Sequence, residues 1–229
     1  MRLLLFDLDG TVLRSVQGSA AFHAAVHDVF GVEVDLHAMR PDGKTDPMIV
    51  RELLRARGVE VELDRATLEV FETCLAERMS AALMSGIMRV EPIPGVRAVL
   101  EALAGDPGCA LAVLTGNLER AARLKLRAAA LNGFFAVGAF GSDSAVRAEL
   151  PDVVRTRFLV RTGIDVPSSD CVIVGDTPLD HAAATANGMR SVLIASGRTP
   201  LAELACLARA TAFPDWSDAA AIQRVLGAA

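Results

Sequence analysis

Leu3-Leu4-Leu5-Phe6-Asp7-Leu8-Asp9-Gly10-Thr11-Val12 lies at the start of the chain, where an unbroken apolar run ends in two carboxylates two residues apart. Four apolar residues with no polar alternation predict a strand buried on both faces, as strands of a parallel sheet are. The carboxylates then fall where strand gives way to turn, and Gly10 permits that turn to be sharp. Alone, such an acidic pair is commonly just a polar turn, so its meaning depends on what else ends the same way.

Two further runs do. Ala110-Leu111-Ala112-Val113-Leu114 leads into Thr115-Gly116-Asn117, and Val172-Ile173-Val174 leads into Gly175-Asp176-Thr177-Pro178-Leu179-Asp180. Phe135 to Phe140 and Ser191 to Ala195 read as strands with no comparable polar ending. Helical patterns separate them over Val96 to Ala104, Leu118 to Leu131, Asp152 to Thr162 and Leu179 to Asn187. Strand and helix in alternation predict right-handed crossovers and an open, doubly wound α/β sheet. Ligands in such sheets bind outside the carboxyl ends of the strands. Asp7, Thr115 and Asp176 are therefore expected to line one crevice.

Residues 15–90 are of another kind, with helices expected over Ser19 to Phe30, from Thr45-Asp46-Pro47 onward, and over Asp64 to Met84. At Thr45 a capping residue stands just ahead of a first-turn proline. No strand is expected there, and Glu91-Pro92-Ile93-Pro94-Gly95 reads as a stiff return linker. This gives an α/β core over 1–14 and 91–229, with a helical cap over 15–90.

Composition narrows the function. The chain has 229 residues, is 52% apolar and carries a net charge of −5, with nine Phe, one Trp and no Tyr. A chain of this length buries roughly 70–75% of the surface its unfolded form exposes, so it needs no staple. The acidic balance offers no basic stripe, which argues against a nucleic acid or an anionic membrane as partner. The four cysteines form no C-x-x-C pair, and Cys109 and Cys171 open apolar runs like small hydrophobes. No run approaches the ~20 apolar residues of a membrane span, and the first residues lack a signal-type apolar core, so a cytoplasmic location is expected.

The carboxylates suit phosphoryl transfer. One of the first pair can attack phosphorus; the other can protonate the leaving oxygen and later take a proton from water. Asp176 at its strand end can complete a magnesium site of oxygen ligands. Thr115-Gly116-Asn117 offers a hydroxyl, N–H groups and a helix start to a phosphate oxygen.

With these motifs in this order, the chain resembles the haloacid dehalogenase superfamily, in the branch with a helical cap after the first strand, and is most similar to phosphoglycolate phosphatase-like enzymes. The resemblance implies a phosphatase acting through an aspartyl-phosphate on a small phosphorylated metabolite, as monomer or homodimer. It implies Asp7 as nucleophile and Asp9 as general acid/base. It implies magnesium held by Asp7, the Asp9 carbonyl and Asp176, with Asp180 in support. Thr11, Thr115, Gly116 and Asn117 are implied as substrate contacts. Asp9 favours phosphatase or phosphomutase, because family members that cleave carbon–halogen or carbon–phosphorus bonds lack an acid there.

The family lysine between the second and last motifs has no obvious counterpart. Lys44 and Lys125 are the only lysines. Lys125 lies two turns beyond Asn117 and is expected to fall short. Arg147 is the expected stand-in, its fork suited to phosphate oxygens, with Lys125 next in line should Arg147 face solvent. Lys44, in the cap loop Arg40 to Asp46, is a candidate grip on the substrate's other end, set against its being a solvated turn. His23 and His27 have zinc-ligand spacing but no nearby third ligand, so an ordinary helix face is expected. The rivals are a sugar phosphomutase of the β-phosphoglucomutase type and a non-catalytic phosphate-ligand binding protein.

Overall fold

In the computed structural model, which describes residues 1–227, each central strand divides its apolar run between two faces. Leu4 and Phe6 of β1 (Arg2–Phe6) enter one core, and Leu3 and Leu5 enter another on the opposite face. Successive side chains in a strand point to opposite faces, so a strand covered on both must be apolar throughout.

Leaving β1, the chain forms β2 (Leu13–Val16), α1 (Gly18–Phe30), α2 (Asp46–Ala56), α3 (Arg65–Met84) and β3 (Arg89–Pro92). It then alternates through α4 (Val96–Ala104), β4 (Cys109–Leu114), α5 (Glu119–Ala128), β5 (Val137–Ala139), α6 (Leu150–Thr162) and β6 (Cys171–Gly175). The last elements are α7 (Pro178–Ala186), β7 (Arg190–Ile194), α8 (Leu201–Ala205), β8 (Thr211–Phe213) and α9 (Ala219–Leu226). Six strands form one parallel sheet in the order β5-β4-β1-β6-β7-β8. β1 pairs with both β4 and β6, so the three tips carrying Asp7, Thr115 and Asp176 are neighbours.

One face of the sheet packs α6 and α7 through Leu150, Val154, Phe158, Ala183 and Ala184. The other packs α4, α9 and Trp216. Trp216 is 1% exposed, stacks 6.5 Å from Phe6 and donates its indole N–H to the carbonyl of Thr11 at 2.8 Å.

The inserted helices form the cap. α3 buries Phe71, Leu75 and Met79, and Phe71 meets Phe22 of α1 edge-on with ring centroids 5.5 Å apart. The chain enters and leaves this insert through an antiparallel ribbon in which Leu13 faces Pro92 and Val16 faces Arg89. That ribbon corrects the expectation of a strandless insert and a plain linker. Its strands have four residues each, too few to establish a period of two, and Pro92 stands at the very end, where no ladder is interrupted. β8, three residues at the sheet edge, also lay below what a periodic pattern reveals. α5 ends at Ala128, short of the expected Leu131, and Ala130 turns left-handed at φ 53°.

Candidate active site

Asp7 leaves β1 with its N–H still bonded to Val174 O at 2.9 Å, so its side chain is held at the sheet's carboxyl edge. Gly10 follows at φ 85°, in the left-handed region that favours glycine. A Cβ there would lie 2.5 Å from Asp176 Oδ2, so glycine also lets the first loop close on the third strand tip.

Asp7, Asp176 and Asp180 form a buried group whose ligand oxygens lie within 4.8 Å of one another. Burial raises the pKa of Asp7, Arg147 opposes this, and Asp180 and Asp9 add to it. Asp176 is likewise raised, first by burial and then by Asp7 and Asp180. Three buried carboxylates so placed repel one another, which is the donor chemistry of a divalent-cation site. The residues present therefore fit the metal that the sequence implied.

Arg147 supplies charge on the other side. Its Nη2 lies 3.1 Å from Asp7 Oδ1 and pairs with Asp180 Oδ1, while Nη1 donates to Gly43 O of the cap at 3.2 Å. Burial alone would lower its pKa, but Asp180 and Asp7 more than offset this and keep it charged. Among the described residues, its Nε is a buried side-chain nitrogen without a hydrogen-bond partner. Asp180 closes a capping box on α7, accepting from the Thr177 N–H at 3.0 Å and the Thr177 hydroxyl at 2.7 Å.

Asp9 faces elsewhere. Lys125 Nζ lies 2.5 Å from Asp9 Oδ2 and 2.5 Å from Asn117 Oδ1, and Ser15 donates to Asp9 Oδ1 at 3.3 Å. The expectation that Lys125 falls short of the site is thus corrected. Long side chains on a helix lean toward its N-terminus, which carries the Lys125 amine back over the turns that separate it from Asn117. Thr11 is a second correction. Expected to touch substrate, it is fully buried and donates to Asp176 Oδ1 at 2.9 Å, so it holds a ligand carboxylate in place.

A cavity of about 250 Å³ opens over Asp7 and Asp9 and is lined also by Thr115, Gly116, Asn117, Lys44, Lys125 and Arg147. Ser15, Ser19, Phe22 and Ile49 of the cap side and Arg198 of the core also belong to its wall. They carry no motif; only the closing of the cap over the crevice brings them there. Lys44 lines the cavity while pairing with Glu52 at 2.6 Å.

His23 Nε2 accepts the Leu36 N–H at 3.0 Å, and His27, half exposed, lies 3.6 Å from Glu33. Cys171 is buried and Cys109 half-buried. Among the described residues no helix is long and apolar enough to cross a membrane.

A family model described as haloacid dehalogenase-like hydrolase matches residues 1–188, and the chain belongs to that family. Phosphoglycolate phosphatase of Pseudomonas fluorescens is 30% identical over 88% of this chain and 73% of its own length. The enzyme of the same name from Xylella fastidiosa is 32% identical over 84% of this chain and 79% of its own. The crystal structure of a hydrolase from Pseudomonas syringae superposes with a TM-score of 0.73 over the whole of both chains at 20% identity, a likeness of fold. The chain is a phosphoric monoester hydrolase of the phosphoglycolate phosphatase-like branch, acting on a small phosphate ester through an aspartyl-phosphate.

Proposed function

We propose that the substrate is a small phosphate monoester carrying a second anionic group, with phosphoglycolate the first candidate. The observation that carries this reading is the cavity itself. Its floor holds Asp7 beside Arg147, its wall holds Lys44, and its volume of about 250 Å³ suits a metabolite of few atoms. The phosphoglycolate phosphatases similar to this chain support the same choice.

In this reading Asp7 attacks phosphorus, and the ester oxygen leaves with a proton from Asp9. Water, deprotonated by Asp9, then attacks the acyl phosphate and releases orthophosphate, returning the Asp7 carboxylate. Arg147 holds Asp7 in line and brings its positive charge beside the phosphoryl group. Thr115 and Asn117 receive the other oxygens, and Lys44 exchanges Glu52 for the substrate's distal anion. Magnesium would be held by Asp7, Asp176 and the Asp9 carbonyl, with Asp180 in support, and when bound it would neutralise charge on the phosphoryl group. Residues 15–90 act as the cap and 1–14 with 91–229 as the core, the cap opening for substrate and closing to exclude all but one water.

A panel of phosphorylated metabolites, compared by kcat/KM with magnesium, tests the choice. Phosphoglycolate should rank high, and Asp7→Asn should lower turnover of every ester at least about 10³-fold, since no covalent step remains. Isomer formation from a hexose phosphate without phosphate release would instead favour a mutase.

A further inference from the structure

Helix α5 starts directly after the Thr115-Gly116-Asn117 turn, and its N-terminus is satisfied largely by the cap. The first N–H groups of a helix have no partner within it. Here Leu118, the N-cap, has no polar side chain to serve them. The Leu118 N–H donates to Asp46 Oδ2 of α2 at 2.8 Å, and the Arg120 N–H to Glu72 Oε1 of α3 at 2.8 Å. Between them the Glu119 N–H donates to Ser142, a core residue, at 2.9 Å.

The contact at Asp46 is deep. Asp46 is 8% exposed, and its own N–H donates to Gly116 O at 2.7 Å. Next to it the Thr45 hydroxyl donates to Ala145 O at 2.7 Å, in the loop that leads to Arg147. A Cβ on Gly116 would overlap Lys44 O and crowd the Thr45 Cα, so the cap backbone rests directly on the turn. The same helix carries Lys125, which holds Asp9 and Asn117.

We propose that Asp46 and Glu72 are positioning residues for phosphoryl transfer: by capping α5 from the cap, they fix the Thr115–Leu118 turn and the reach of Lys125 to Asp9 only while the cap is closed. The inference rests on phosphoryl transfer at Asp7. Closure then does more than exclude water. It completes the N-terminus of the helix on which phosphate contacts and the acid's partner are mounted, so an open cap leaves the turn loose and the site inactive. Asp46 carries most of the effect because its bond is buried, whereas Glu72 is half-exposed.

The test compares Asp46→Ala, Asp46→Asn, Glu72→Ala and the double alanine variant with the parent. For Asp46→Ala, kcat should fall at least about tenfold and Ki for orthophosphate rise about tenfold, because small misplacements of reacting groups cost this much or more. Asp46→Asn keeps an oxygen for the Leu118 N–H and should stay within about threefold. Backbone amide exchange over residues 117–122 should be slow in the parent, slower with orthophosphate, and faster in Asp46→Ala.

Unchanged kcat and Ki in Asp46→Ala, at a folded fraction matched by circular dichroism, would overturn the proposal. So would an Asp46→Asn variant as impaired as alanine. Should Asp46→Ala not fold, the parent's exchange decides, and fast exchange at 118–120 that ignores orthophosphate sinks the idea. A parent that binds orthophosphate and slows these amides, yet cleaves no phosphate ester, would remove the phosphatase reading and leave the capping role standing.

Discussion

At the scale of single residues, the two aspartates of the first motif are separated by their partners. Asp7 is buried against Arg147, while Asp9 is more open and held by Lys125. That division matches a nucleophile that must stay fixed and an acid that must exchange protons with solvent. Lys125→Met frees the Asp9 carboxylate, so kcat on an alkyl phosphate should fall about tenfold, part of what a well-placed general acid contributes. p-Nitrophenyl phosphate, whose leaving group needs no proton, should lose much less; equal losses on both esters would count against this role. Asp7, Asp9, Thr115, Asp176 and Asp180 were legible in the sequence because each sits at a fixed offset from an apolar run. The reach of Lys125 was not legible, because spacing along a helix does not show how far its side chains lean toward the N-terminus. The orientation of Thr11 was not legible either, because no linear pattern tells whether a hydroxyl turns toward a ligand or toward a neighbouring carboxylate.

At the scale of elements, the five strands and most helices followed from apolar runs and caps, whereas β2, β3 and β8 did not. Those three have three or four residues, and what makes them strands is a partner far away in sequence, as with Leu13 opposite Pro92. The cap rests on a small aromatic core where Phe71 meets Phe22 and Phe30, with centroids 5.5 and 5.8 Å apart. Phe71→Ala should destabilise the protein by about 3–5 kcal/mol through lost burial and the cavity left behind. Chemical denaturation followed by circular dichroism measures it; a loss below about 1 kcal/mol would mean that α1 and α3 do not depend on this contact.

At the scale of the whole molecule, the carboxylate group sets how stability follows pH. Burial raises Asp7 and Asp176 above the ordinary value of 3.8 and lifts Asp46 to about 6. A carboxyl whose folded pKa is raised favours the fold while protonated, so its contribution is complete below pH 3.8 and is lost as pH climbs through the raised value. Protein stripped with EDTA should therefore lose these contributions between mildly acidic and mildly alkaline pH. Magnesium needs the ionised ligands, so the gain in Tm on adding it should widen over the same range. Calorimetry with and without the ion checks this, and a gain that stays constant from pH 5 to pH 9 would contradict it.

With no tyrosine and a single tryptophan, the chain's near-ultraviolet emission comes almost wholly from Trp216, whose indole is tied to the Thr11 carbonyl in the loop that follows Asp7 and Asp9. The fold has thereby tied one fluorophore to a backbone carbonyl two positions beyond Asp9 in the chain, so ligand occupancy and loop rearrangement should register as a change in its intensity. An unlabelled sample in a stopped-flow cuvette would follow each turnover from within.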